Sequence, residues 1–226
     1  MASGSLHMTV DTEFTPALGD HRLTPFYDLA IALLTREGVW RRRLVTQIAP
    51  TSSDRILDVG CGTGSLAILL KQRTPDIDII GLDPDPVVLA RARKKAYKRG
   101  FTIDWRNGFL SDDIVEQSRP ISKVVSSLVF HQTPLEEKQQ MLAKMHALLE
   151  PGGSLHIADY GLQRSKLMRI LFRRTVQAID GIEDTQANAD GVLPELMETA
   201  GFADVTETQI IPTLTGSISL YWAQRL

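Results

Sequence analysis

Residues 56–64, Ile-Leu-Asp-Val-Gly-Cys-Gly-Thr-Gly, constrain this chain more than any other stretch. The apolar run broken only by Asp58 reads as a buried strand. Residues 65–73 after it read as a helix with Leu66, Leu69 and Leu70 on one face. Glycines at 60, 62 and 64 join the two. Without a Cβ, such a loop lets its backbone approach a ligand closely, and its N–H groups point at a carboxylate or phosphate. The spacing is G-x-G-x-G with an aspartate two residues ahead, distinct from the G-x-G-x-x-G loop that binds dinucleotides.

Helix and strand patterns go on alternating. Residues 76–82 form a second apolar, β-branched strand that ends at Asp83. Pro84-Asp85-Pro86 opens a helix that runs to 98, with proline tolerated at its start, and Gly100 ends it. Strands are expected over 101–105, 123–129 and 155–158, with a helix over 134–149 stopped by Pro151-Gly152-Gly153. A helical segment covers 162–179 and a short helix 194–200. Late strands at 204–211 and 217–223 flank a turn at 213–216 and pair as a hairpin. Two helices, 25–34 and 39–48, precede the first strand. This order predicts an α/β fold with a largely parallel sheet and helices on both faces.

A chain of 226 residues suffices for one such domain. Its formal net charge of −2 supplies no basic field, so no nucleic-acid partner is expected. Cys61 is the single cysteine. That excludes a disulfide framework and a cysteine zinc cluster, suits a reducing compartment, and leads to the expectation of a cytoplasmic protein without a metal. No apolar stretch approaches the ~20 residues that cross a bilayer. Residues 1–7 lack a signal-peptide core and read as an expression scar. Residues 8–50 read as N-terminal helices that cover the ligand site, and 51–226 as the core, with a lid-like insertion at about 162–192.

Asp58-x-Gly60-x-Gly62-x-Gly64, in this strand-loop-helix setting, resembles the first motif of class I S-adenosylmethionine-dependent methyltransferases. Residues 126–131, Ser-Ser-Leu-Val-Phe-His, resemble their fourth motif. Residues 149–155 resemble their L-x-P-G-G-x-L turn. Thr24-Pro25-x-Tyr27-Asp28 and Gly216-Ser217-Ile218-Ser219-Leu220-Tyr221 are similar to the ubiquinone/menaquinone-biosynthesis branch. The resemblance implies a Rossmann-like, seven-stranded, mostly parallel sheet with the last strand antiparallel. It also implies methyl transfer from S-adenosylmethionine to a small-molecule acceptor, with apolar or quinone-like compounds among the candidates. Asp58, Gly60, Cys61, Gly62 and Gly64 would then lie against the methionine portion of the cofactor. Asp83 would hold the ribose hydroxyls, Pro84 the adenine face, and Gly108 and Phe109 the rest of the adenine. Tyr27 and Ser127 would reach the amino-acid end. Two departures stand out. Phe109 occupies the position of an acidic residue that bonds adenine in relatives, which leaves Asp112 as a candidate. Ser122 replaces an aspartate that commonly opens the fourth strand.

His131 lies where an acceptor should meet the methyl group, and an imidazole with pKa ~6.5 suits general-base work; a histidine held there for other reasons is the competing reading. Asp159 and Tyr160, at the end of the fifth strand, are expected to contact the acceptor. Purely structural readings stay open for Asp58 as a helix cap and for Asp83 as a helix-start residue. His146 and His156 read as ordinary helix and strand residues. Trp40-Arg41-Arg42-Arg43 is either a solvated helix face or a basic amphipathic patch for peripheral membrane contact. Residues 166–174 are a lid or a dimer surface, so monomer and homodimer both remain. A non-catalytic cofactor-binding or partner protein is one alternative. A nucleic-acid methyltransferase is another, although 126–129 lack the Asp/Asn-Pro-Pro-Tyr signature.

Overall fold

A computed structural model describes residues 34–111 and 119–226. Tyr27, Asp112 and all but the end of the helix expected over 25–34 lie outside the described residues. Seven strands form one sheet in the order β3-β2-β1-β4-β5-β7-β6. They are β1 Arg55–Val59, β2 Asp78–Asp83, β3 Asp104–Asn107, β4 Ile121–Ser127, β5 Leu149–Tyr160, β6 Ala203–Thr213 and β7 Gly216–Gln224. β1 runs parallel to both β2 and β4, while β7 is antiparallel to both β5 and β6. The expected antiparallel last strand is therefore present, inserted between β5 and β6. The chain builds outward from β1 to β3 and then returns to lay β4 on the other side of β1. That reversal opens a crevice at the carboxyl ends of β1 and β4, where doubly wound sheets bind ligands.

The helices are α1 Glu37–Ile48, α2 Ser65–Arg73, α3 Pro86–Tyr97, α4 Leu135–Leu148, α5 Lys166–Arg174, α6 Val176–Asp180, α7 Ile182–Ala189 and α8 Leu193–Thr199. Every residue of β1 is buried, and alternate side chains go to opposite faces of the sheet. Ile56 joins a core with Trp40, Leu44 and Ile48 of α1 and Leu66 and Leu70 of α2. Leu57 and Val59 join a second core with Leu142 and Met145 of α4 and Leu193 and Met197 of α8. Each such apolar side chain contributes about 1.5–3 kcal/mol on burial.

Three expectations shift. β3 begins at Asp104 rather than 101, because the Phe101 N–H is spent on the Ala96 carbonyl, closing α3. β5 begins at Leu149, because Pro151-Gly152-Gly153 is a bulge within the strand rather than a turn before it. Its pairing with β4 jumps from Ile121–Leu149 to Lys123–Ser154. Gly152 N–H donates to Arg225 O at 2.7 Å and Arg225 N–H to Gly153 O at 2.9 Å, so the bulge keeps its partners. The helical segment over 162–179 splits into α5 and α6, and Gly181, with φ 83°, separates α6 from α7. Among the described residues no helix is long and apolar enough to cross a membrane.

Candidate cofactor and acceptor site

The glycine loop leaves β1 with the Gly60 and Cys61 N–H groups donating to Leu82 O at 2.9 and 3.0 Å. All three glycines have positive φ (70°, 53° and 72°). A Cβ on Gly60 would sit 2.3 Å from Val129 Cγ2, and one on Gly64 would sit 2.4 Å from the Trp105 ring. At Gly62 it would meet nothing within 4 Å. The outer glycines thus answer to packing, and the middle one borders open space. The Cys61 thiol is buried, and burial pushes its pKa up, so it stays protonated.

Asp83 closes over this loop. Its carboxylate accepts Gly62 N–H at 2.8 Å and Asp85 N–H at 2.9 Å. Burial raises its pKa, against the pull of those two amides. Asp85 in turn caps α3 by accepting Val87 N–H. Gly108 N–H donates to Asp83 O, and the Asn107 amide donates to the Asp83 and Pro84 carbonyls. Asp83, Pro84 and Gly108 therefore stand together beside the loop, with Phe109 following at 58 % exposure.

Asp58 has no exposed surface, and neither carboxylate oxygen has a partner at full hydrogen-bond geometry, the Ala67 N–H being the backbone group that acts on it. Burial pushes its pKa up to about 7; the Arg41 charge opposes this and that of Asp83 adds to it. Arg41 pairs with Glu37, lies 4.8 Å over the Trp40 ring, and has Nε buried without a partner. Burial lowers its pKa to about 10, with Asp58 opposing. Arg41 is a neighbour of Asp58 that the motif reading did not single out. The signal was its place beside Trp40, in a helix that buries Trp40, Leu44 and Ile48 at i, i+4 and i+8. The 40–43 stretch is accordingly not one basic face: Trp40 is buried, Arg41 turns inward, and only Arg42 and Arg43 are exposed. A buried carboxylate without a well-aligned donor is costly alone. In the field of a guanidinium with an unused N–H, two residues before the glycine loop, it fits the zwitterionic end of an amino-acid-bearing cofactor.

At the exit of β4, Ser127 precedes Leu128, whose φ of 56° turns the chain into a 3-10 turn over Phe130–Gln132. Asp159 organises this turn. Its carboxylate accepts the Val129, Phe130 and Tyr160 N–H groups at 2.9, 2.7 and 2.8 Å, and its Oδ1 lies 2.8 Å from His131 Nδ1. With 0 % exposure, Asp159 is enclosed behind His131 rather than presented at the surface. The Tyr160 hydroxyl is bonded to Thr215 Oγ1 at 2.7 Å, and its ring stands edge-on to His131 at 5.0 Å. Tyr160 walls the histidine with its ring and points its hydroxyl at Thr215. His131 Nε2 lies 3.6 Å from Asp180 Oδ2. Burial alone would lower the His131 pKa, but Asp159, then Asp180, outweigh it and hold it up at about 9.

The other flagged residues serve the fold. Ser122 Oγ donates to Asp54 Oδ1 and accepts Arg55 N–H, joining the starts of β1 and β4. His146 packs edge-on against Phe202. His156 lies between Gln47 and Ser154, with its pKa lowered to about 3, chiefly by burial. A cavity of about 280 Å³ opens within the insertion, lined in part by Gln163, Arg169, Phe172 and Arg173; neither His131 nor the glycine loop lines it.

A doubly wound sheet with a single antiparallel strand, a G-x-G-x-G loop and an acidic residue closing β2 define a Rossmann-like cofactor-binding protein of the methyltransferase type. Residues 56–153 match the family model of a methyltransferase domain. The chain is 30 % identical over 187 residues to the demethylmenaquinone methyltransferase of Thermus thermophilus, covering 78 % of this chain and 81 % of that one. It is 32 % identical over 181 residues to that of Deinococcus radiodurans, covering 76 % and 73 %. The magnesium protoporphyrin IX methyltransferase of Synechocystis, solved with bound S-adenosylhomocysteine, shares the fold at TM-score 0.67 and 17 % identity, covering 93 % and 91 %. The chain belongs to the class I S-adenosylmethionine-dependent methyltransferases, in the branch that includes the demethylmenaquinone methyltransferases. It is a small-molecule methyltransferase.

Proposed function

We propose that this enzyme methylates an apolar, quinone-like acceptor that carries an acidic hydroxyl, with the cofactor held by the glycine loop and its surroundings. Two relatives bearing the name demethylmenaquinone methyltransferase support the acceptor class. The observation that carries the reading is His131, raised in pKa and standing at the sheet edge that also bears the glycine loop.

In this reading Gly60, Cys61, Gly62 and Gly64 lie along the methionine portion. Asp58 takes its ammonium and Arg41 its carboxylate, with Ser127 and Tyr27 nearby at that end. Asp83 holds the ribose. An ionised carboxylate has about four lone-pair sites, and only two are used by Gly62 and Asp85. Pro84, Gly108 and Phe109 flank the adenine. When bound, S-adenosylmethionine supplies a methyl group already activated on a sulfonium. The protein's share is then alignment and a suitable field rather than covalent help. With its pKa near 9, His131 is an imidazolium at neutral pH. It therefore holds an acceptor oxyanion in place of removing a proton as the simpler base reading had it.

Residues 162–192 act as a lid over the acceptor, and α1 closes the cofactor side. The enzyme is cytoplasmic, with peripheral membrane contact through α5 rather than residues 40–43. On α5, Leu167 and Ile170 are 60 % and 48 % exposed among Lys166, Arg169, Arg173 and Arg174. The test is methyl transfer from labelled S-adenosylmethionine to demethylmenaquinol and to soluble naphthols. Incorporation into the quinol supports the reading; cofactor binding with no incorporation into any hydroxylated ring rejects the acceptor class.

A further inference from the structure

The insertion places one side chain on His131 that no sequence motif accounts for. Asp180 ends α6, and its Oδ2 lies 3.6 Å from His131 Nε2. Because Asp159 takes Nδ1, Nε2 is the ring nitrogen left for an acceptor, and Asp180 stands against it. The two carboxylates differ in setting. Asp159 is enclosed with both oxygens accepting hydrogen bonds, whereas the Asp180 side chain keeps 19 % of its surface. Gly181 follows at φ 83°, with nothing within 4 Å of where a Cβ would stand. Beyond it α7 is anchored, through Lys138 Nζ to Asp184 O and the Asn188 amide to Tyr160 O. The Thr185 hydroxyl also donates to Gly181 O, so the backbone at 181 is held and it is the part-exposed Asp180 side chain that can swing away from His131.

The charges sharpen this. His131 faces Asp159 and Tyr160 from β5 and Asp180 from α6, while Lys138 of α4 acts on Asp159 from behind. An imidazolium between two carboxylates carries a net negative charge, and like charges in one site disfavour a third. An anionic acceptor and Asp180 therefore exclude one another at Nε2.

We propose that Asp180 is a specificity-determining place-holder, which occupies the Nε2–H of His131 until an acceptor oxygen arrives as its phenolate or enolate anion and displaces it. This rests on His131 facing the acceptor. No covalent bond of the protein changes in the exchange. The acceptor's hydroxyl proton goes to solvent water, Nε2 keeps its own proton, and the 3.6 Å ion-pair contact with Asp180 gives way to a hydrogen bond to the acceptor oxygen. A neutral ether or ketone lacks the charge to replace a carboxylate at an imidazolium, so the contact selects acidic hydroxyls.

The test uses the full chain with saturating S-adenosylhomocysteine, with 4-nitrophenol as probe and 4-nitroanisole as control. The phenolate absorbance reports the ionisation state of the bound probe. Asp180→Asn removes the competitor, so the nitrophenolate binds roughly five-fold tighter, the worth of one partly exposed ion pair, while nitroanisole binding is unchanged. Asp180→Ser behaves alike and covers the case in which the asparagine variant folds poorly. The His131 ring signals in NMR titrate at lower pH in both variants. Unchanged or weaker nitrophenolate binding, an equal gain for nitroanisole, or an unmoved His131 titration overturns the proposal. The titration requires no methyl transfer. Failure of the quinone-like acceptor assignment thus shows in the transfer assay and leaves this measurement standing.

Discussion

His131 Nδ1 and Asp159 Oδ1 lie 2.8 Å apart, a contact in which the carboxylate has no exposed surface and the imidazole almost none. The pair makes the histidine a fixed cation rather than a free base. Its folded pKa of about 9 lies above the ordinary value of 6.5. The resulting stabilisation is fully present below pH 6.5 and is lost as pH rises through 9. Chemical denaturation of the wild type and of His131→Gln between pH 6 and 10 checks this. The wild type should lose on the order of 2–3 kcal/mol more across that window; parallel curves for the two proteins contradict it.

Asp58 has the opposite sense. Its pKa is raised to about 7, so the folded state holds a proton that the unfolded chain releases, and stability falls as pH climbs from 4 to 7. Asp58→Asn should therefore stabilise the ligand-free protein at pH 7.5. The same change should weaken S-adenosylmethionine binding by about ten-fold or more, because the ammonium loses its anionic partner. Calorimetry on Asp58→Asn and Arg41→Met decides the point, and wild-type affinity in both variants removes these residues from the site.

The three glycines separate by what surrounds them. Gly60→Ala and Gly64→Ala drive a methyl into Val129 and the Trp105 ring, at 2.3 and 2.4 Å, and should lower the melting temperature strongly. Gly62→Ala meets no atom and costs only its left-handed backbone, about 1 kcal/mol. Its loss should appear in cofactor affinity instead. A Gly62→Ala protein that melts early yet binds normally contradicts the assignment.

Asp83→Ala removes the acceptor for the Gly62 and Asp85 N–H groups and should both loosen the loop and weaken cofactor binding. The distinguishing measurement is affinity for S-adenosylmethionine against that for free methionine. A ribose contact predicts that the former falls further than the latter.

Leu167→Asp with Ile170→Asp should abolish co-sedimentation with phosphatidylglycerol vesicles without lowering the melting temperature, since both side chains are exposed. Wild-type protein that ignores such vesicles, or that dimerises through α5 in light scattering, rejects the membrane contact.

The strand-loop-helix at 55–73 was legible because its signals are local. β1 is a short apolar run, α2 spans the residues 65–73 expected of it, and the G-x-G-x-G loop gains its meaning from lying directly between them. The hairpin of β6 and β7 was legible for the same reason, since its turn lies between its strands. The 149–155 stretch was misread because its bulge depends on Arg225, a partner supplied from the far end of the chain.

By itself, then, the sequence determined the α/β class, the run of elements and the residues around the glycine loop. These follow from periods of two and about 3.6 and from backbone freedom at single positions. Tertiary structure alone decided that Arg41 stands beside Asp58, that Asp159 meets His131 Nδ1, and that Asp180 closes on its other nitrogen. Those approaches join segments far apart in the chain. They are set by strand order and by which helix packs over which strand end, and a side chain's charge carries no record of that placement until the sheet has formed.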